Sequence, residues 1–180
     1  MSKKILRRII LPIVMIVVIL FLALNSVYTI REQEQAVLTT FGVASAVTDP
    51  GLHFKIPFIQ NVKKVNTTIQ GFSIGYDSNN SSDESESLMI TSDYNFVNVD
   101  FFVEYKVADP VKTLYASEEP VIILKNIAQS CIRTVIGSYD VDSVLTTGKN
   151  EIQSVIRERI ISQLDLHDIG IQLVNITIQD

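Results

Sequence analysis

The residues of this chain that could carry chemistry are few: two histidines, one cysteine, a Thr147-Gly148-Lys149 triplet and twenty scattered carboxylates. A histidine-based metal site or a Ser-His-Asp triad needs several groups converging on one point. His53 stands just after a Pro-Gly turn and His167 near a predicted helix end. The adjacent pair His167-Asp168 lies on one segment, where neighbouring side chains diverge. Both histidines therefore read as polar residues at surface turns. A phosphate-cradling loop requires glycine five places before Gly148 and Ser or Thr after Lys149. Ser143 and Asn150 stand there instead. Asp77-Ser78-Asn79-Asn80-Ser81 looks like the opening of a calcium loop, but the sixth place is Ser82 and the twelfth is Leu88, where Gly and Glu are needed. Cys131 falls on an apolar stripe and reads as a buried structural thiol. Asn66-Thr67-Thr68 and Asn175-Ile176-Thr177 fit the short glycosylation pattern, which is common by chance. The reading is a non-enzyme with no catalytic residues, metal, cofactor or small-molecule substrate.

The elements say more. Ile9 to Leu24, IILPIVMIVVILFLAL, contains no charged side chain, and Lys3, Lys4, Arg7 and Arg8 precede it without an acid. Extended to Tyr28, the apolar stretch is twenty residues long, which at about 1.5 Å per residue matches a hydrocarbon core roughly 30 Å thick. Ile9, Leu11, Val14, Val17, Leu20 and Leu24 would face lipid, and Tyr28 would settle at the interface. Lys and Arg near a span stay in the cytoplasm. The first eight residues carry four positive charges, and the whole chain is −5. This predicts a short basic cytoplasmic tip (1–8), a transmembrane helix (9–28) and an acidic body on the extracytoplasmic side. An uncleaved anchor is preferred over a cleaved signal peptide, because the run is long and no small-x-small site follows it.

A single cysteine rules out an intramolecular disulfide, and net acidity argues against nucleic acid as a partner. Residues 27–76 read as strands, with Asp49-Pro50-Gly51 as a turn and Leu52, Phe54, Ile56 and Phe58 alternating after it. The stretch from Asp77 to Ser87 has no large apolar side chain and reads as a solvated loop closing a first subdomain (29–87). A second subdomain (88–180) opens on the clearest strand, Val97 to Val107, whose odd positions are all apolar or aromatic. Asp109-Pro110 starts a short helix. Another helix begins at Pro120, with Leu124, Ile127, Ala128, Cys131, Ile132 and Val135 on one face. A third runs from about Gly148 to Leu164, buried along Ile152, Val155, Ile156, Ile160 and Leu164, and Gly170 turns into a last strand, Ile171 to Ile178. The fold class is α+β, with no internal repeat.

The order of these segments resembles the SPFH, or band 7, family of stomatins, prohibitins, flotillins and the bacterial HflK and HflC proteins. Arg31 to Val37, ending at Phe41-Gly42, looks like the family's first strand after the anchor. Pro50 to Phe58, PGLHFKIPF, looks like its hairpin. The segment Asp93 to Pro110, DYNFVNVDFFVEYKVADP, resembles the long strand and helix start in the form typical of HflK members. Gly148 to Ile152 and Gly170 to Val174 look like the last helix and strand. The resemblance implies a bacterial cytoplasmic-membrane scaffold that oligomerises with itself and an HflC-like paralogue and modulates the FtsH-type ATP-dependent membrane protease. The family continues past the last strand into a coiled-coil helix, which this chain, ending at Asp180, is expected not to contain. A stomatin-like scaffold without a protease partner is the alternative, and a membrane-anchored hydrolase a remote one. For Leu52, Phe54, Ile56 and Phe58, two placements are open: at the membrane interface, or packed under the first subdomain, which is preferred.

Overall fold

The computed structural model describes residues 3–76 and 81–179, with side chains from residue 12 onward. It divides into two compact units, Met1–Asn66 and Thr67–Asp180. That division precedes the boundary expected after Ser87, because residues 70–74 are hydrogen-bonded into the sheet of the second unit.

In the first unit, helix α1 (Lys3–Asn25) leads into strand β1 (Val27–Ile30). Strands β2 (Glu34–Thr40), β3 (Val43–Val47), β4 (Gly51–Phe54) and β5 (Gln60–Asn66) follow. They form one antiparallel sheet in the order β3-β2-β5 and a two-stranded ribbon of β1 with β4. Phe41 (φ 50°) and Gly42 (φ 90°) make the two-residue turn from β2 to β3, the left-handed pair that matches strand twist. The segment expected as a turn at Asp49-Pro50-Gly51 is an irregular link that runs directly into β4, with Gly51 at φ 129°, and it is no hairpin. The strand before it pairs with β2 and the strand after it with β1. Strand β4 also stops at Phe54, short of the alternating Ile56 and Phe58, so residues 55–59 form a loop. Ile30, Ala36 and Val37 are buried.

Among the described residues no helix is long and apolar enough to cross a membrane. The expectations for Lys3, Lys4, Arg7, Arg8, Ile9 and Leu11 fall outside the described side chains. From Pro12 to Asn25 every side chain of α1 is exposed.

The second unit contains strand β6 (Gln70–Ile74), helix α2 (Glu84–Ser87), strands β7 (Leu88–Ile90), β8 (Phe96–Asn98) and β9 (Asp100–Val107), helices α3 (Pro110–Tyr115), α4 (Pro120–Ile136), α5 (Val141–Leu145) and α6 (Lys149–His167), and strand β10 (Ile171–Gln179). The sheet order is β10-β9-β6, all antiparallel, and β7 pairs with β8 as a separate ribbon. The predicted eleven-residue strand is thus two strands that share one alternation. Val97, Val99, Phe101, Val103 and Tyr105 are all buried. At Val99 the chain changes partners, and its N–H donates to the Ser87 carbonyl at 3.2 Å.

The buried face of β9 meets α4 and α6 in one apolar core with Ile74, Leu124, Ile132, Ile152, Ile156, Ile160 and Ile176. The predicted α4 stripe is buried in full. Of the α6 stripe, Val155 is the exception, since it lies on the outer side. Helix α3 is capped as its sequence predicts: the Asp109 carboxylate accepts from the N–H groups of Val111 (2.9 Å) and Lys112 (3.1 Å). Helix α6 ends at Asp168, which takes the left-handed conformation (φ 48°) and binds the Lys112 ammonium at 2.7 Å. Strand β7 and two capped helical turns went unforeseen. Asp83 caps the turn Glu84–Ser87 by accepting from Ser85 N–H, and Ser87 is buried, so the end of the acidic stretch is structured. Asp140 caps α5 in the same way through Ser143 N–H. The calcium-like opening at 77–80 lies outside the described residues.

Candidate functional site

The first unit carries an apolar end built by strand register. Thr40 pairs with Val43 of β3 and with Gln60 of β5, which places the Phe41-Gly42 turn and the loop 55–59 at the same end of the sheet. Gln60 clamps them. Its side-chain NH₂ donates to Thr40 Oγ1 at 3.1 Å, its side-chain oxygen accepts from Ile56 N–H at 2.7 Å, and its backbone N–H donates to the Ile56 carbonyl at 3.0 Å.

The same loop is stitched to the exit of α1. Ser26 Oγ–H donates to the Lys55 carbonyl at 2.5 Å, and Lys55 N–H donates back to the Ser26 carbonyl at 2.7 Å. One step further, Val27 faces Phe54 and Tyr28 faces His53, whose rings stack at 5.5 Å. The run of exposed apolar side chains on α1 therefore continues into Phe54, Ile56, Phe58 and Ile59. Contrary to the packed placement expected for Leu52, Phe54, Ile56 and Phe58, all four are exposed, and Phe58 is 88% exposed at φ 67°. Strand β4 spends its hydrogen bonds on β1, and Pro57 ends the pairing, so nothing in the unit covers the loop. The sequence reading missed Phe41 (83% exposed) and Val43. They stand more than ten residues upstream, and only the register of Thr40 with Gln60 brings them alongside. A cluster of exposed aromatic and aliphatic side chains next to an apolar helix has the composition of a membrane-contacting surface.

The polar candidates do not converge. His53 Nε2 lies 2.7 Å from the Asp49 carbonyl. Gly148 of the Thr-Gly-Lys triplet donates its N–H to the Ser143 carbonyl at 2.9 Å and sits at the start of α6. His167 and Cys131 do share a groove of about 470 Å³ between α4 and α6 with Arg159, but no carboxylate lines it. The Cys131 thiol is buried, and burial pushes its pKa up, against a smaller opposing pull from Arg159. That is the reverse of what a nucleophilic thiol needs. Among the described residues no three of His, Cys, Asp and Glu gather as a metal ion would require.

The SPFH domain / Band 7 family model matches residues 28–180. The chain belongs to this family. It is 33% identical over 163 residues to the "Modulator of FtsH protease HflK" of Escherichia coli K12, which covers 90% of this chain and 36% of that protein. It is 34% identical over 153 residues to the HflK protein of Buchnera aphidicola subsp. Schizaphis graminum, covering 84% and 34%. The HflK protein of Borreliella burgdorferi is 26% identical over 177 residues, covering 93% and 56%. The chain thus spans about a third of the length of the first two relatives. The expected α+β SPFH fold is what the strands and helices of both units build.

Proposed function

We propose that this chain is the SPFH portion of a membrane-anchored, non-enzymatic scaffold of the HflK kind. It assembles with itself and an HflC-like paralogue, and it modulates a FtsH-type membrane protease. The observation that carries the reading is the likeness, over nine-tenths of the chain, to a relative whose name is modulator of that protease. The apolar end of the first unit supports the membrane part. An exposed apolar helix and an exposed aromatic loop are joined by two backbone-directed hydrogen bonds at Ser26 and Lys55, so both can enter one lipid surface. In this reading α1 is the anchor, the basic tip is cytoplasmic and the body lies outside the cytoplasmic membrane.

Co-purification tests it. The full-length gene product is tagged, the membrane is solubilised gently, and the recovered proteins are quantified by mass spectrometry. The expected result is a membrane ATP-dependent protease together with a second SPFH protein in comparable amount. A large self-assembly without any protease would overturn the modulator reading and leave a general membrane scaffold.

A further inference from the structure

We propose that the β7–β8 ribbon is a docking surface for a protein partner that offers an apolar pocket flanked by lysine or arginine. The ribbon has two faces. Met89 and Val97 point into the core, while Leu88, Ile90 and Phe96 point outward and are exposed. At the tip, Tyr94 is 89% exposed and holds a left-handed backbone (φ 62°), a conformation that bulky side chains avoid.

The turn around Tyr94 is fixed from several directions. Thr91 Oγ1–H donates to the Asp93 carboxylate at 2.5 Å and Asn95 NH₂ to the same carboxylate at 2.8 Å. Thr91 N–H donates to the Asn95 carbonyl at 3.0 Å, and Ser92 N–H to the Tyr139 carbonyl at 2.9 Å. A turn whose backbone is fixed in this way loses little backbone freedom on binding, and Tyr is among the residues that carry most interface energy.

Charge identifies the partner's rim. Val141 N–H donates to Asp93 at 3.3 Å, so the start of α5 stands beside the turn and brings Asp140 and Asp142 with it. Hydrogen bonds from Thr91 to Asp93 and from Ser143 to Asp140 hold both carboxyls below the usual range, keeping them ionised. None of the three acids is in an ion pair among the described residues. An aromatic tip beside three uncompensated carboxylates complements a basic rim around an apolar pocket, and such rim charges set encounter rate and orientation.

The inference rests on the scaffold reading, because it supplies the contact through which the scaffold would hold a protein. The test uses the full-length protein in its membrane, with a photo-crosslinking phenylalanine analogue at Tyr94 or Phe96 and mass-spectrometric mapping of the adducts. It is paired with Tyr94→Asn, since Asn accepts a left-handed backbone, and with Asp142→Lys. The expected adducts fall on one partner protein, at aliphatic residues bordered by Lys or Arg. Tyr94→Asn should melt no lower than the wild type yet recover about tenfold less partner, and Asp142→Lys should recover several-fold less. Adducts confined to lipid or to a second copy, or unchanged recovery with Tyr94→Asn, would overturn the inference while leaving the scaffold reading standing. A wild type that recovers no partner protein would overturn both.

Discussion

Asp100 is poorly satisfied by its surroundings. Its Oδ1 is buried without a hydrogen-bond partner, beside Gly75 and Ser87, and burial raises its pKa. A carboxyl whose folded pKa is raised binds its proton more tightly in the folded state. Its favourable contribution is therefore fully present below the unfolded value and is lost as pH rises through the folded one. Asp100→Asn should raise stability near neutral pH by up to about 1 kcal/mol, and its advantage over the wild type should grow as pH rises through the carboxylate range, both read from denaturant titrations. A stability difference between Asp100→Asn and the wild type that does not grow as pH rises through the carboxylate range would contradict this. Gly71 offers a second residue-level test. A Cβ built there would come within 2.5 Å of the Phe102 ring, which lies across the glycine. Gly71→Ala should cost about 1 kcal/mol in the wild type. In a Phe102→Ala background it should be neutral or stabilising, because strand glycine is then only an entropic cost. This also explains why a phenylalanine occupies the expected wet side of β9: it roofs a glycine on the neighbouring strand, a relation between strands that the alternation within one strand does not display.

At the scale of elements, periodicity was legible and partner choice was not. The buried sides of α4 and β9 follow from spacing alone, because a stripe or an alternation is written within the segment. Val155 was misassigned because the α6 stripe is narrow: Ile152, Ile156, Ile160 and Leu164 step by four, and the intervening valine falls to its outer edge. Ile156→Ala should therefore cost about 2–5 kcal/mol, while Val155→Ala should cost under about 1 kcal/mol, as thermal or chemical melts of the two variants would show. The break at Val99, the strand swap after Pro50-Gly51 and the pairing of residues 70–74 with β9 were hidden for a common reason. Each depends on which distant strand supplies the hydrogen bonds. The turn at Glu84–Ser87 was hidden differently, since an acidic, serine-rich stretch looks solvated until Asp83 caps it and Ser87 is drawn inward. At the candidate site, the apolar alternation of Leu52, Phe54, Ile56 and Phe58 was legible in the sequence but their exposure was not, and Phe41 joins them only through the register of β2 with β5.

For the whole molecule, the apolar end of the first unit is proposed to enter the membrane that carries the scaffold. The chain has no tryptophan, so Phe58→Trp creates a single fluorescent reporter at the loop. In liposomes carrying this 180-residue chain its emission should be blue-shifted and quenched by brominated lipids; a water-like spectrum without quenching would remove the loop from the membrane. The claim at the centre is modulation of a membrane protease, and the most direct measurement is the half-life of a membrane-protein substrate of that protease. It is followed by pulse–chase in cells that carry or lack the full-length gene product. The half-life should change severalfold on deletion, return on complementation, and become insensitive to the gene product when the protease is inactivated. An identical half-life with and without the protein, in cells where the protease is active, would contradict it.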